Sequence, residues 1–565
     1  MGPHDGTAEH SGRTAVGYRP HLLKKDTITP MTEQRQSDES PPSGSIKERI
    51  DPWMVGLALL SAILAALVVS PMLWLVWQAT TVELGRAYDL MFSLRTAEIT
   101  LNSIVLMVSV TGFSILLGVP LAVLTVRTDL PYPRFWTVVA ALPLVIPSYI
   151  GAIAFVSMFG SGGEIDSLFG MTIPRIDGLW GAVFIITLYT YPYVFLTTRA
   201  ALVSMDSRLV DAARTLNHGP VKAFRDVTLP NIRPGIAAGA LLAGLYAISD
   251  FGTPAFMQAR VFTSRIYGEF SGFQVEYAAL LALQLVSIVA IVLVIEAGIG
   301  RDEDASGGGG SGATIMLGHW KWPAMGFVSL LGVLTLVIPV AIFTTWVFRS
   351  EGDRIPALEF QTEVAFNSVY LALLAALVAC LFALPVAYYS GRTSSFVSRV
   401  LERATYIGFA VPGVVIGLAL VFLGTRTLPS LYREGVWLLV FGYVIRFLPQ
   451  AVGTVRSSVL QVDDETIEAA RTLNAGRLET FRRVTLPMIA PGVVAGAVLV
   501  FLTTMKELPM TLMLQPIGMD TLVIKVWQAH EALAYRYAAV PALLLILISG
   551  VTMIVLLRQE GYEVT

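Results

Sequence analysis

The sequence predicts an all-α polytopic membrane protein, with about twelve transmembrane helices arranged as two parallel repeats of six. Hydrophobic residues make up 55% of the 565-residue chain, only 14% of it is charged, and the mean hydropathy is +0.67, whereas soluble domains contain about 25% charged residues. Apolar stretches long enough to cross a bilayer, which takes ~20 residues, recur along the chain. A polar phrase also occurs twice, as DAARTLN at 211–217 and EAARTLN at 468–474.

The chain begins with a polar segment, residues 1–50, that is rich in Ser, Pro, Glu, Arg and Gly. Such a composition buries too little apolar surface to offset its ordering entropy, so we expect a disordered cytoplasmic tail. Met31 is an alternative translation start. The first apolar stretch is too long for the core of a signal peptide and is expected to remain as a membrane anchor.

Twelve apolar stretches follow, six before and six after a Gly-rich segment. Residues 301–313, RDEDASGGGGSGA, have the composition of a flexible linker. The predicted organisation is a first half at 51–300, a cytoplasmic linker at 301–320 and a second half at 321–565. The expected spans are 53–78, 101–126, 136–158, 179–203, 236–258, 277–299, 322–347, 366–390, 404–424, 436–455, 493–514 and 537–557.

The two halves align with each other. Four landmarks recur 265 residues apart: Asn102-Ser103 with Asn367-Ser368, Pro120 with Pro385, Arg127 with Arg392, and Pro147 with Pro412. After the third span the separation falls to 257, the spacing of the two phrases, so the first half contains eight additional residues. Loops tolerate insertions, and we expect these residues in the loop at 160–178.

Six spans per half give both repeats the same orientation. Lys and Arg crowd the two loops that contain the repeated phrase, which places those loops and both termini in the cytoplasm. The basic residues are Arg199, Arg208, Arg214, Lys222, Arg225 and Arg233 in the first loop, and Arg456, Arg471, Arg477, Arg482 and Arg483 in the second.

Each phrase predicts a short helix with an acidic first turn and a thin alanine face. Asn217 and Asn474 are expected to end these helices, because Asn readily enters the left-handed conformation. Phe224 and Phe481 follow as apolar anchors of a second amphipathic turn, and a Thr-Leu-Pro sequence then leads back towards the membrane.

These loops resemble those of the membrane subunits of binding-protein-dependent ABC importers. That family has Glu-Ala-Ala, three residues, Gly, nine residues, then Ile, any residue and Leu-Pro. The matching positions are Glu468, Ala469, Ala470, Asn474, Val484, Leu486 and Pro487, and Asp211, Ala212, Ala213, Asn217, Val227, Leu229 and Pro230. Asn replaces Gly, Val replaces Ile and, in the first half, Asp replaces Glu, all of which are mild changes.

The resemblance implies a type I ABC importer permease whose two loops dock on an ATPase dimer. It also implies a periplasmic or lipid-anchored substrate-binding protein and a multi-pass location in the inner membrane, among lipid. No stretch reads G-x-x-x-x-G-K-[ST], so ATP and Mg²⁺ are expected on a separate polypeptide. The chain itself is expected to be a transport subunit with no catalytic residue, no cofactor and no nucleic-acid partner.

Two acidic residues are candidates for the translocation pathway. Asp250 and Glu507 lie 257 residues apart in AISDFGTPAF and TMKELPMTLM, and acids at membrane depth are usually functional. Alternatively, each acid caps a broken helix or pairs with a neighbour such as Lys506.

These stretches, with GMDTLVIKVW at 518–527, resemble the fused permeases of ferric iron importers. Thiamine, polyamine and sulfate or phosphonate permeases of the same architecture are alternatives.

No metal site is predicted within the chain. The six histidines form no ligand-spaced pair, and the single cysteine, Cys380, is expected to be a core residue. Tyr189, Tyr191, Tyr193 and Tyr246 could offer hard oxygen donors, although aromatic residues in spans more often serve packing. The paired glycines in GIAAG at 235–239 and GVVAG at 492–496 predict close helix contacts, with both fifth spans near the interface between halves.

A proton-coupled secondary transporter is the main rival interpretation. Such a protein also has twelve spans in two halves, and Asp250 and Glu507 would then carry protons. It would have no reason to keep a matched pair of docking loops. A channel or scaffold is a third class, with still less in the sequence to favour it.

Overall fold

The structure, a computed structural model, describes residues 52–159, 163–171, 173–206, 208, 219–299, 314–349, 355, 358–472, 474 and 476–559. The tail at 1–50, the linker residues 301–313 and the whole first phrase at 211–217 lie outside the described residues. Within the described part, ten helices are long and apolar enough to cross a membrane, and two bent helix pairs raise the number to twelve. The prediction of an all-α polytopic protein is confirmed.

The first half consists of eleven helices, counted within the described residues. They are α1 Pro52–Thr80, α2 Leu84–Met91, α3 Leu94–Arg127, α4 Pro133–Ala141, α5 Ser148–Met158, α6 Glu164–Phe169, α7 Gly178–Ser204, α8 Phe224–Ser249, α9 Gly252–Phe256, α10 Phe262–Ser271 and α11 Val275–Ile299.

The second half repeats this order without a counterpart of α2 among the described residues, and its helix before the fifth span, α18, corresponds to a segment of the first half that lies outside them. Its helices are α12 Gly318–Phe348, α13 Thr362–Arg392, α14 Phe396–Ala410, α15 Gly413–Thr427, α16 Pro429–Glu434, α17 Val436–Leu460, α18 Asp464–Thr472, α19 Arg477–Thr504, α20 Pro509–Leu514, α21 Leu522–Glu531 and α22 Ala539–Gln559. All these comparisons refer to the residues that the structure describes.

The third span of each half is broken rather than continuous. The first pair, α4 with its following 3₁₀ turn and then α5, bends by 88°, and the pair α14 and α15 bends by 102°. The recurring prolines cause both breaks, because a residue before proline is pushed out of the helical region: Ile146 has ψ 125° and Val411 has ψ 129°. The predicted spans 136–158 and 404–424 therefore each contain a break at a proline.

The fifth spans end earlier than predicted. Helix α8 stops at Ser249 and α19 at Thr504, and a short helix, α9 or α20, follows each stop. The predicted spans 236–258 and 493–514 ran through these breaks, because the apolar composition continues across them. Asp250 and Glu507 lie in the breaks themselves.

A π-helical turn precedes the membrane part of both fifth spans, at Phe224–Thr228 and Phe481–Thr485. Pro230 and Pro487 follow these turns directly, and proline can neither donate a backbone hydrogen bond nor tolerate the carbonyl four residues before it. The wider π turn accommodates that mismatch. The Thr-Leu-Pro sequences therefore have the same structural effect in both halves.

The eight additional residues of the first half lie in the predicted loop. Helices α6 and α16 still start 265 residues apart and end on equivalent left-handed glycines, Gly170 with φ 63° and Gly435 with φ 69°. Helix α17 then begins immediately, whereas α7 begins only at Gly178. The insertion therefore comprises residues 171–178.

The paired glycines bring helices close together, but within each half. A Cβ atom on Gly239 would lie 2.6 Å from the backbone of Val194 on α7, and one on Gly496 would lie 3.1 Å from that of Ala451 on α17. The glycine faces of α8 and α19 therefore contact the fourth span of their own half. The paired glycines therefore do not face the opposite half in the contacts described, whereas the ends of the fifth spans reach the interface at the breaks that contain Asp250 and Glu507.

Residues that follow the linker are attached to the first half. The backbone N–H of Leu317 donates to Asp129 at 2.8 Å, and the Lys321 ammonium lies 2.8 Å from the same carboxylate. These two donors, led by the backbone N–H, hold the pKa of Asp129 below its usual range. Helix α12 begins at Gly318, slightly before the predicted boundary at 321.

Candidate docking and translocation sites

The docking loop of the second half contains the short helix that the phrase predicts. Helix α18 covers Asp464–Thr472, and Asn474 adopts φ 64°, the left-handed conformation expected of a helix stop. Glu468, however, lies in the second turn, because the helix begins four residues before the phrase and its acidic first turn consists of Asp464 and Glu465.

The surface of this loop is open to solvent. Glu468, Ala469 and Asn474 are exposed and Ala470 is half-buried. Leu486 is half-buried and Pro487 exposed, as are Leu229 and Pro230 in the first half. An exposed helix with small side chains on one face can fit a groove of a second protein. Asp211, Ala212, Ala213 and Asn217 lie outside the described residues.

Asp250 occupies the break between α8 and α9. Its carboxylate accepts hydrogen bonds from the backbone N–H groups of Gly252 and Thr253, the first residues of α9. The Ser148 hydroxyl donates to the same carboxylate at 2.9 Å and lies 3.0 Å from the Tyr246 hydroxyl. Ser148 is the first residue of α5, so the two broken helices of this half meet at Asp250.

Glu507 occupies the equivalent break and has a different partner. The backbone N–H of Met510 donates to its carboxylate, and Arg446 Nε of α17 lies 3.5 Å from its Oε2 atom. Glu507 is buried, and the Arg446 side chain is 17% exposed. Gly413 takes the place of Ser148 here, and a Cβ atom at this position would overlap Arg446 and Glu507.

The capping alternative therefore describes both acids, and their place in the translocation pathway stays a prediction. Each acid caps a broken helix, and the two carboxylates are close enough for their charges to interact. Lys506 is not the partner of Glu507 in the contacts described; its ammonium crosses to the first half and donates to the Leu144 carbonyl at 2.9 Å. The ends of both fifth spans thus lie at the interface between halves.

Aromatic side chains close this interface on one side of the acids. Trp527 of α21 lies among Phe251, Phe256 and Tyr267 of the first half, with ring centroids 5.4, 5.4 and 5.6 Å away. Helices α10 and α21 start 260 residues apart, and Tyr267 and Trp527 have the same separation, so these two residues occupy equivalent places in the repeat. The contact between them marks the pseudo-two-fold relation of the halves.

Three buried polar atoms in this layer have no hydrogen-bond partner. They are the Tyr149 hydroxyl, Oε1 of Glu507 and one terminal nitrogen of Arg446. The Tyr149 side chain is 4% exposed and lies near both acids and near Tyr443. Buried polar atoms without partners are rare and costly, so this layer is suited to a polar ligand or to water.

The tyrosines singled out in the sequence have different positions. Tyr246 is in the acidic layer and its ring lies 6.1 Å from that of Tyr193. Tyr189 instead donates to the Thr335 carbonyl of α12 at 3.1 Å, which is a packing role, and Tyr191 is buried in the core of the first half. No group of three His, Cys, Asp or Glu that could hold a metal occurs among the described residues.

Sequence reasoning missed Ser148, Tyr149, Arg446 and Tyr443. Arg446 carried a usable signal, because a charged residue within an apolar span is usually functional. The others carried none, since Ser and Tyr are common in spans and only the bends bring them to the acids.

Comparison with known proteins identifies the family. The model of the binding-protein-dependent transport system inner membrane component matches residues 114–301 and 383–560, one match in each half. The chain belongs to this family. Family membership makes it a multi-pass transport component that works with an ATPase and a substrate-binding protein.

Similar permeases span most or part of this chain. The Fe(3+)-transport system permease protein FbpB 2 of Haemophilus influenzae is 31% identical over 524 residues, which is 90% of this chain and 99% of that protein. The ferric transport system permease protein FbpB of Actinobacillus pleuropneumoniae is 24% identical over 72% of this chain and 62% of its own length. The molybdenum transport system permease protein ModB of Escherichia coli is 35% identical over 28% of this chain and 67% of its own.

The Arg446–Glu507 pair gives a stability prediction for this permease. Arg446→Met should lower the free energy of unfolding by about 3 kcal/mol, because removing one partner of a buried ion pair leaves an uncompensated charge. Glu507→Gln in the same protein should restore most of that loss, because the remaining charge is then removed. Thermal unfolding of the purified permease in detergent measures both changes, and equal melting temperatures for the single and double variants would contradict the pairing.

Proposed function

We propose that this permease forms the pathway for ferric iron and that a separate ATPase dimer drives it through the two repeated loops. The proposal rests first on the H. influenzae relative, which is named for Fe(3+) transport and is matched along 99% of its length. The acidic layer at the paired helix breaks provides the physical support. The permease itself would have no catalytic residue and no cofactor, with ATP and Mg²⁺ on the ATPase.

The chemistry of the layer fits a hard cation. Carboxylate and phenol oxygens are the ligands that such ions prefer, and Asp250, Glu507 and Tyr149 provide them at one level of the bundle. Arg446 occupies one side of Glu507, and Lys506 lies next to it in the chain. Their positive charges would weaken the binding of a cation in this layer. A transport pathway requires such weak binding, because the ion must also leave the site.

The docking role of the loops rests on exposure and repetition. Helix α18 presents Glu468 and Ala469 to solvent, and the first half has the same phrase with Asp211, Ala212 and Ala213. Both loops must lie on one side of the membrane, because six spans separate equivalent positions. Their basic residues favour the cytoplasm, with both termini on that side and the spans in the lipid of the inner membrane. The substrate would arrive from a periplasmic or lipid-anchored binding protein.

An oxyanion such as molybdate is the second candidate substrate. The same two cations, Arg446 and Lys506, would favour an anion over a cation if they were free to face the pathway. The molybdenum permease of E. coli covers only 28% of this chain, whereas the ferric relative covers 90%. Ferric iron is therefore preferred.

Charge reversal tests the docking role. In the double variant Asp211→Lys/Glu468→Lys, we expect the ATPase to be lost from the purified complex and transport to stop. The reason is that a positively charged lysine would then face the part of the ATPase groove that binds each acid. The matched control is Glu98→Lys/Glu363→Lys, two equivalent exposed acids on α3 and α13 at the opposite end of the bundle. ATPase that co-purifies equally with both double variants would refute the docking role.

Transport measurements test the substrate. Proteoliposomes that contain the permease, its ATPase and its binding protein should accumulate ferric iron with ATP and should not accumulate molybdate. Asp250→Asn/Glu507→Gln should slow ferric iron uptake by about tenfold or more, a loss of about 1.4 kcal/mol per tenfold, while the ATPase stays bound. Uptake that persists without ATP and is abolished by a protonophore would favour a proton-coupled transporter, and ATP-driven uptake of molybdate alone would overturn the assignment of iron.

A further inference from the structure

The repeated Asn-Ser pair makes the same contacts in both halves. On α3, the Asn102 amide donates to the Arg260 carbonyl at 3.1 Å, and the Ser103 hydroxyl accepts from the Phe262 N–H at 2.9 Å. On α13, the Asn367 amide donates to the Asp520 carbonyl at 3.1 Å, and the Ser368 hydroxyl accepts from the Leu522 N–H at 2.7 Å. The same two hydrogen bonds therefore occur in each half, although the partner segments differ in sequence.

These contacts hold the starts of α10 and α21, the second helix after each break. The first N–H groups of a helix have no partner within it, and Thr521, the residue before α21, provides no side-chain cap. Ser103 and Ser368 supply the missing acceptor from a neighbouring helix. In the first half, the Thr263 hydroxyl of α10 also donates to the Asp250 carbonyl at 2.7 Å. The Asn-Ser pair is thus two contacts away from the acid.

The other end of the same helices contacts the docking side. Arg392, near the end of α13, pairs with Asp464, the first residue of α18, and donates to the Val462 carbonyl at 3.0 Å. The Tyr388 ring of α13 lies 5.4 Å from Phe481, on the far side of the docking loop. Helix α13 therefore holds the docking segment both before and after the phrase.

Arg127 of α3, the equivalent of Arg392, donates to the Leu202 carbonyl near the end of α7, at 3.2 Å. The position that corresponds to Asp464 is Ser207, so this half has no carboxylate there. The docking phrase of the first half lies outside the described residues. The contact of the helix with the docking segment is thus described in most detail in the second half. Its connection to the acid is described in most detail in the first half.

A single uninterrupted helix joins the two ends in each half. Helix α13 extends over Thr362–Arg392 and α3 over Leu94–Arg127. With a rise of about 1.5 Å per residue, Ser368 and Arg392 lie roughly 36 Å apart along the axis. A packed helix is stiff along its axis, so a displacement at one end reaches the other end with little loss.

We infer that α3 and α13 couple the two ends of the transporter. They transmit movement of the docking loops to the helix breaks that contain Asp250 and Glu507. The Asn-Ser pairs and the Arg127 and Arg392 side chains are the positioning residues at their two ends. This inference rests on the proposed docking role of the loops. It also accounts for the recurrence of these landmarks, which all lie on one helix of each half.

The test measures substrate transported per ATP hydrolysed, since a structural contact alone would not change this ratio. Ser368→Ala removes the outer contact and Arg392→Gln the inner one. Reconstituted with the ATPase and the binding protein, each variant should lower the ratio by about fivefold or more, the lower range of coupling between sites. The probe is ferric iron, or molybdate if the unaltered complex carries that ion instead.

Matched controls separate coupling from folding. Ser390→Ala removes a hydroxyl of α13 whose hydrogen bond, among the described residues, is to the Ala387 carbonyl of its own helix. Arg399→Gln removes the same charge from the neighbouring helix α14. Both should leave the ratio unchanged. Ser368→Thr retains a hydroxyl and should restore the ratio.

Two results would overturn the inference. One is an unchanged ratio in both Ser368→Ala and Arg392→Gln, or an equal decrease in the controls. The other is loss of the ATPase from the Arg392→Gln complex, which would make Arg392 part of the docking surface instead. Failure of the docking proposal is recognised separately, because the ATPase would then remain on Asp211→Lys/Glu468→Lys.

Discussion

A helix that breaks inside a bilayer must satisfy its free backbone groups within the protein, because lipid offers no hydrogen bonds. The permease breaks the third and fifth spans of both halves. Asp250 and Glu507 accept the free N–H groups of the short helices after the breaks. The same carboxylates thereby reach the interface between halves, so one arrangement meets the requirement for backbone hydrogen bonds and places two acids at this interface.

The halves share a backbone plan but differ in the chemistry around the acids. Arg446 of the second half occupies the place of Tyr189 in the first, and Gly413 that of Ser148. One acid is therefore held by hydroxyl groups and the other by a guanidinium group. Equivalent positions of the two halves can differ in this way because each is encoded separately in the one chain.

Sequence alone predicted the features that depend on composition and repetition: the twelve spans, the duplicated order and the short docking helix that ends at Asn474. It could not locate the breaks, because apolar residues continue on both sides of Ser148 and Asp250. Sequence alone also could not predict the partner of Glu507. Lys506 is adjacent in sequence, whereas Arg446 reaches the acid only because α17 packs beside α19.

Distances between equivalent residues test the central claim, that movement on the docking side is coupled to opening at the other end. Spin labels would be placed in a Cys380→Ala background at exposed Lys222 and Glu479 on the docking side, and at exposed Phe273 and Leu533 on the opposite side. When ATP closes the ATPase dimer, the first distance should shorten while the second lengthens. Two distances that shorten together, or an opposite side that does not move, would contradict the account.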